Sequence, residues 1–223
     1  MSRPPETLQN KDELDEEGWR EYIDALEELG LTEDDVRGKK ILDVGCGGSG
    51  FLVRGLLIRD ITRDAYGIDE RDVAEEIPTA PADHFEKRDY NLPIPERLKE
   101  CDIVVALHSM DLFPREKIGN ADEDEKLKNM PRLLDNFMSA VKRGGELRTG
   151  MVLMSERHAL EESRSFKITR TFCEERGFEV EFKLQSTSQY KATYGSGPLD
   201  PRVGERYDSY IVIIHKPEKK KNS

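Results

Sequence analysis

The sequence predicts an α/β protein with a three-layer, doubly wound fold around a mostly parallel sheet of about seven strands. Two observations predict this fold class. Short apolar runs alternate along the chain with segments whose apolar residues recur at helical spacing. The last two apolar runs follow each other without a helix between them, so we expect an antiparallel hairpin at the C-terminal edge of the sheet.

Length and composition favour one domain in a chain of 223 residues. We expect a flexible N-terminal arm at 1–12, a domain at 13–216 that begins with a helix at 13–30, and a disordered basic tail at 217–223. Trp19 on the first helix is expected to pack in the core, with a lid over a binding site as the alternative.

The remaining elements follow from apolar spacing and from glycine and proline breaks. The predicted strands are 41–44, 64–69, 85–88, 101–107, 146–154, 178–184 and 207–215. The predicted helices after the first are 51–57, 126–143 and 161–177. Gly144 and Gly145 are expected to end the helix at 126–143, and the acidic run at 122–125 is a solvated loop or a helix start.

Charge and cysteine usage exclude several classes of protein. The formal net charge of −11 repels phosphates, so binding of bulk nucleic acid is not expected. Cys46, Cys101 and Cys173 fit neither a disulfide framework nor a zinc pattern, and the scattered histidines predict no metal site. A reducing, cytoplasmic location fits best. No apolar stretch reaches the length that spans a bilayer, so we expect no membrane partner.

A glycine-rich turn follows the first predicted strand. Gly45, Gly47 and Gly50 satisfy the G-x-G-x-x-G pattern of dinucleotide-binding proteins, in which glycine lets a ligand approach the backbone. Asp43 favours a ligand with an ammonium group over a dinucleotide. A carboxylate at the end of the strand repels a pyrophosphate and attracts the ammonium group of an amino acid.

With Asp43, the turn resembles motif I of the class I S-adenosylmethionine-dependent methyltransferases. The third glycine comes one residue later than in the tightest family pattern, which leaves Gly48 and Gly50 as alternatives for the close approach to the cofactor. The resemblance implies that Asp69, after the second strand, accepts the ribose hydroxyls. It implies that Asp89, after the third strand, accepts from the adenine amino group. All three acids end successive strands at one edge of the sheet, where ligands of open α/β sheets bind.

The resemblance covers residues 13–216 and implies S-adenosylmethionine as the cofactor. The residues that it assigns to cofactor binding are Asp43, Gly45, Cys46, Gly47, Gly50, Asp69, Asp89, Tyr90 and Leu107. His108 is the first candidate for a general base and Asp111 the second, although a role for His108 in shaping the pocket or capping a helix is favoured. Tyr190 and Tyr194 are candidates for acceptor contacts.

The predicted function is methyl transfer to an acceptor that the sequence does not identify. The segment 107–110 has no Asn-Pro-Pro-Tyr pattern, which argues against an amino group of a base or glutamine, and a small molecule is slightly favoured over a protein. Two alternatives remain. A binding or partner subunit without catalysis is disfavoured because the acids Asp43, Asp69 and Asp89 are all present. A nicotinamide-dependent oxidoreductase is disfavoured by Asp43 and by the chain length.

Overall fold

A computed structural model of the protein describes residues 14–73, 81–107, 121–154, 160, 163–189 and 206–218. The predicted arm at 1–12 lies outside these residues, as does all of the predicted basic tail after residue 218.

Seven strands in the described residues form one sheet, in the order β3-β2-β1-β4-β5-β7-β6. They are β1 (Ile41–Val44), β2 (Ala65–Asp69), β3 (Phe85–Lys87), β4 (Cys101–Ala106), β5 (Val141–Met154), β6 (Glu179–Gln189) and β7 (Arg206–His215). The first five strands pair in parallel, whereas β7 runs antiparallel to both β5 and β6. The predicted mostly parallel sheet with an antiparallel C-terminal hairpin is therefore confirmed.

Helices cover both faces of the sheet. Within the described residues they are α1 (Glu16–Glu28), α2 (Glu33–Val36), α3 (Phe51–Ile58), α4 (Ala121–Ala140) and α5 (Arg164–Arg176). Alternate residues of β1 belong to separate cores: Ile41 packs with α1, α2 and α3, and Leu42 packs with α4 and α5. This alternation follows from the period of two along a strand, and it produces the three predicted layers.

The boundary between α4 and β5 differs from the prediction. The helix begins at Ala121, so it contains the acidic run, and it ends at Ala140 rather than at residue 143. β5 begins at once, and its pairing with β4 jumps from Val141 to Glu146. A Cβ atom on Gly145 would lie 2.7 Å from the carbonyl oxygen of Asp102. Close backbone approach in a β-bulge, not helix termination, therefore accounts for this glycine.

The antiparallel pair of β6 and β7 is longer than expected. β6 extends to Gln189, five residues beyond the predicted end at 184. The pairing runs on to Gln189 opposite Arg206. Backbone hydrogen bonds form this ladder whatever the side chains are, so the polar residues at 185–189 gave no apolar signal for it.

Helix α1 packs against α3 within one apolar core that includes Tyr22. Tyr22 is 1% exposed, and its ring lies against Gly55, where a Cβ atom would come within 2.3 Å of the ring. Its hydroxyl donates to Glu33 Oε1 over 3.0 Å, and Glu33 also forms an ion pair with Arg59. Trp19 packs edge-on against Tyr22 with ring centroids 5.8 Å apart, so the expected core packing of this helix is confirmed.

None of the described helices has both the length and the apolar character that crossing a membrane requires.

Candidate functional site

A cavity of about 290 Å³ lies at the carboxyl ends of β1, β2 and β4, where the glycine-rich turn leads from β1 into α3. This is the edge at which open α/β sheets bind ligands. The described residues that line it are Glu21, Ala25, Asp43, Gly45, Cys46, Gly47, Ser49, Phe51, Leu52, Asp69, Arg71, Tyr90 and Leu107. Seven of the nine residues predicted to bind a cofactor are among them, and Gly50 and Asp89 are not.

Two glycines of the turn have different surroundings. Gly47 lines the cavity, and its backbone N–H donates to Asp69 Oδ2 over 2.8 Å. Gly50 adopts a φ of +52° at the start of α3, and a Cβ atom there would lie 2.5 Å from Phe85 Cε1. Gly50 is thus required by backbone conformation and by Phe85. Neither Gly48 nor Gly50 is among the residues that line the cavity, whereas Gly45 and Gly47 are.

Asp43 presents a carboxyl group to the cavity from the end of β1. The residue is 7% exposed, and no described residue forms a hydrogen bond or an ion pair with its side chain. Burial, with a smaller contribution from the Asp69 carboxylate, raises its pKa from 3.8 to about 7. A buried acid without a donor favours any ligand that brings a positive charge or a hydrogen-bond donor.

Asp69 connects the end of β2 to the glycine turn. Besides the Gly47 N–H on Oδ2, its Oδ1 accepts from the backbone N–H of Arg71 over 2.9 Å and from Arg71 Nε over 3.3 Å. A carboxylate offers about four acceptor positions, so one remains for a ligand. The Arg71 side chain is 61% exposed and can release another by moving into solvent.

The third predicted acid has a local role in this structure. Asp89 is exposed, and its Oδ1 accepts from the backbone N–H of Asn91 over 2.7 Å, which closes a turn after β3. The neighbouring Tyr90 lines the cavity instead. Leu107 lines it from the end of β4, as predicted.

Four predicted site residues cannot be located in the structure. His108, Asp111, Tyr190 and Tyr194 lie outside the described residues.

Helix α1 contributes two lining residues that the sequence did not predict. Glu21 and Ala25 are one helical turn apart, beside the face that buries Gly18, Tyr22 and Leu26. The signal was present, since an acid and an alanine flanked the apolar stripe at i and i+4. The sequence alone did not show which side of the apolar stripe faces the cavity, because that depends on how α1 packs against α3.

The Cys46 thiol lies within the site, with Sγ 3.6 Å from the Gly47 carbonyl oxygen. Burial raises its pKa, and the carboxylates of Asp43 and Asp69 raise it further. The group therefore stays protonated at neutral pH and is a poor nucleophile. Over the described ranges, no group of three His, Cys, Asp or Glu residues is arranged to hold a metal ion.

Comparisons with known proteins find no relative by sequence, but they find solved structures with a similar fold. No protein-family model and no curated protein matches the chain. Phosphoethanolamine N-methyltransferase 2 of Haemonchus contortus, solved with phosphomonomethylethanolamine and S-adenosylhomocysteine, superposes with a TM-score of 0.55 at 13% identity. The match covers 90% of this chain and 53% of that one, so the chain spans about half the length of this neighbour.

Two further structures agree with this match. The same enzyme solved with S-adenosyl-L-methionine has a TM-score of 0.53 at 13% identity, again over 90% of this chain and 53% of that one. A provisionally assigned methyltransferase of Bacillus halodurans has a TM-score of 0.50 at 15% identity, over 89% of this chain and 99% of the other. The chain has the fold of the class I S-adenosylmethionine-dependent methyltransferases.

Proposed function

We propose that the protein is an S-adenosylmethionine-dependent methyltransferase. The observation that carries the proposal is the Asp43 carboxyl group, nearly buried and without a described partner, beside the glycine turn in a cavity at the strand ends. A dinucleotide pyrophosphate at this position would meet a carboxylate, whereas an ammonium group would be attracted to it.

The lining residues fit the parts of S-adenosylmethionine. Asp43 faces the ammonium end, Gly45 and Gly47 leave the backbone open to the ligand, and Asp69 accepts from the ribose hydroxyls. Tyr90 supplies a wall for the adenine ring. The cavity volume of about 290 Å³ is close to the lower end of the roughly 300–1,000 Å³ typical of small-molecule sites.

The charge of the lining supports the same ligand. Glu21, Asp43 and Asp69 contribute carboxyl groups to the described wall, against the single guanidinium of Arg71. The excess of acid favours a ligand with net positive charge, which S-adenosylmethionine carries through its ammonium and sulfonium groups. No ion pair or hydrogen bond to a described residue occupies the Glu21 side chain, so its charge is available to the site.

Bound S-adenosylmethionine supplies a methyl group already activated by the sulfonium. What remains for the chain is to fix the donor, align it with the acceptor and exclude water. The glycine turn and Asp43 hold one end of the donor, and Asp69 and Tyr90 hold the other. An acceptor that arrives protonated also needs a general base, for which His108 is the candidate.

A small molecule is the favoured acceptor, ahead of a protein. The net charge of −11 argues against nucleic acid. The cysteines Cys46, Cys101 and Cys173 are free thiols, which supports a reducing, cytoplasmic environment for the reaction.

Isothermal titration calorimetry with S-adenosylmethionine, S-adenosylhomocysteine and NAD tests the cofactor. We expect both sulfur compounds to bind and NAD to show no heat of binding. Binding of NAD without binding of the sulfur compounds would overturn the proposal. Transfer of labelled methyl groups to a panel of small molecules and proteins then tests catalysis. Cofactor binding without transfer to any acceptor would favour the inactive partner subunit.

A further inference from the structure

The turn at 88–94 carries Tyr90 into the lining of the cavity, and the half-buried Tyr90 also packs against the apolar core that includes residues of α4. Leu92, at its tip, is 50% exposed, whereas Ile94, where the turn rejoins the core, is 2% exposed. Within the turn, the Leu92 N–H donates to the Asp89 carbonyl oxygen over 3.0 Å. Burial therefore anchors the turn at Tyr90 and at Ile94, and polar contacts hold the exposed tip between them.

One side chain of α4 supplies three of these contacts. Asn136 Nδ2 donates to the carbonyl oxygen of Tyr90 over 2.9 Å and to that of Leu92 over 2.8 Å. Its Oδ1 accepts from the backbone N–H of Ile94 over 3.1 Å. Asn136 thus satisfies three backbone groups of the turn from a separate element, 42 to 46 residues away in sequence.

A second side chain, one helical turn earlier on α4, adds to the contact. Arg132 Nη1 donates to the Asn91 carbonyl oxygen over 2.8 Å, and Nη2 donates to Asn91 Oδ1 over 2.9 Å. Residues at i and i+4 share a helix face, so Arg132 and Asn136 both bind the turn from the same side of α4.

We propose that Asn136 is a positioning residue for the cofactor, which sets the Tyr90 backbone so that the ring forms the nucleoside wall of the cavity. This inference rests on the proposed function. The Asn136 amide matches the turn, which offers it two carbonyl oxygens and one N–H. The shorter amide of asparagine presents two donors and one acceptor in one plane, whereas aspartate has no donor and would face two carbonyl oxygens.

The substitution Asn136→Asp tests the inference, with Asn129→Asp as its matched control. Asn129 lies on an exposed part of the same helix, makes none of these hydrogen bonds and undergoes the same change of charge. We expect Asn136→Asp to weaken S-adenosylhomocysteine binding roughly tenfold. We expect the same factor for 5′-methylthioadenosine, since the turn faces the nucleoside that both compounds share. Asn129→Asp should bind like the wild type.

A double-mutant cycle with Tyr90→Ala separates positioning from a general structural role. If Asn136 acts through Tyr90, the two losses of affinity should be markedly less than additive. Full additivity would overturn the inference, and so would a loss confined to S-adenosylhomocysteine, because that compound alone carries the amino-acid end.

If Asn136→Asp does not fold, Arg132→Met tests the inference instead. Arg132 is exposed, and its substitution removes two hydrogen bonds to the same turn. We expect it to weaken both ligands about threefold. Unchanged affinity in this variant would contradict the inference. If the wild type binds neither ligand, the proposed function fails. If the wild type binds and Asn136→Asp matches Asn129→Asp, the inference alone fails.

Discussion

At the scale of single residues, the proposed cofactor site depends chiefly on Asp43. Its place at the end of β1 was predictable from the sequence, because a strand, an acid and a glycine turn follow each other directly. Its protonation was not predictable, because the pKa of about 7 depends on burial and on the charge of the nearby Asp69 carboxylate. Both depend on tertiary packing.

Replacement of Asp43 by asparagine should stabilise the unliganded protein while it weakens binding. The folded protein keeps the Asp43 proton up to about pH 7, whereas the unfolded chain releases it near 3.8. The folded state therefore loses stability as the pH rises through this window. Asp43→Asn removes the loss, so its free energy of unfolding at pH 8 should exceed that of the wild type by up to about 4 kcal/mol. Chemical denaturation at pH 4 and pH 8 measures the difference.

The same variant should bind S-adenosylhomocysteine at least roughly tenfold more weakly at pH 8, because it lacks the charge that faces the ammonium group. Asp24→Asn is the control, since Asp24 is an exposed acid on α1 outside the cavity lining. Equal affinities of Asp43→Asn and Asp24→Asn would contradict the role assigned to Asp43.

Substitution of Gly47 or Gly50 by alanine should have different effects on stability and on ligand binding. At Gly50, the new Cβ atom meets Phe85 at 2.5 Å with φ at +52°, so Gly50→Ala should destabilise the fold by about 2 kcal/mol or more. At Gly47, the nearest atom to the new Cβ atom is Nη2 of the exposed Arg71 side chain at 3.1 Å, and both residues line the cavity. Gly47→Ala should lose stability by only about 1 kcal/mol but lose most binding. Thermal melting and calorimetry on both variants check this contrast. Equal effects on stability and binding in the two would refute it.

At the scale of elements, apolar periodicity predicted the strands and helices but not all of their ends. The helix at 126–143 and the glycine pair after it suggested a helix stop. The structure places the helix end at Ala140 and Gly145 in a bulge against Asp102. The error arose because a glycine that is required where two strands pack closely looks, in the local sequence, the same as a glycine that ends a helix.

The docking of α1 depends on Gly55, and this gives a prediction with an unusual sign. In an exposed helix, glycine to alanine adds about 1 kcal/mol of stability. Gly55→Ala should instead destabilise the protein by roughly 2–3 kcal/mol, because the new Cβ atom would lie 2.3 Å from the Tyr22 ring. Ligand affinity should fall with it, since α1 carries Glu21 and Ala25 into the cavity.

Thermal melting of Gly55→Ala, with Asn129→Ala as an exposed control on α4, measures this effect. A melting temperature for Gly55→Ala equal to or above that of the wild type would contradict the described packing of Tyr22.

At the scale of the whole molecule, the alternation of strands and helices predicted the fold class and the edge of the sheet at which the cavity lies. The sequence could not give the insertion of β7 between β5 and β6, because strand order depends on which edges meet in space. Nor could it separate Asp89, which closes a turn, from Tyr90, which lines the cavity. Adjacent side chains of a turn point in different directions, and the sequence does not show which of them faces the cavity.

Ligand binding should raise the stability of the whole domain. At a concentration of 100 times the dissociation constant, S-adenosylhomocysteine should add about 2.7 kcal/mol, which is a rise of roughly 5–10 °C in Tm for a domain of this size. NAD at the same concentration should leave the Tm unchanged. Differential scanning fluorimetry makes the comparison, and a shift with NAD alone would speak for the nicotinamide alternative.

The most direct test of the central claim is a crystal structure of the protein with S-adenosylhomocysteine. We expect the ligand in the cavity at the ends of β1, β2 and β4, with its ammonium group against Asp43 and its ribose hydroxyls on Asp69. Ligand density elsewhere on the molecule, or the opposite orientation with adenine against Asp43, would contradict it.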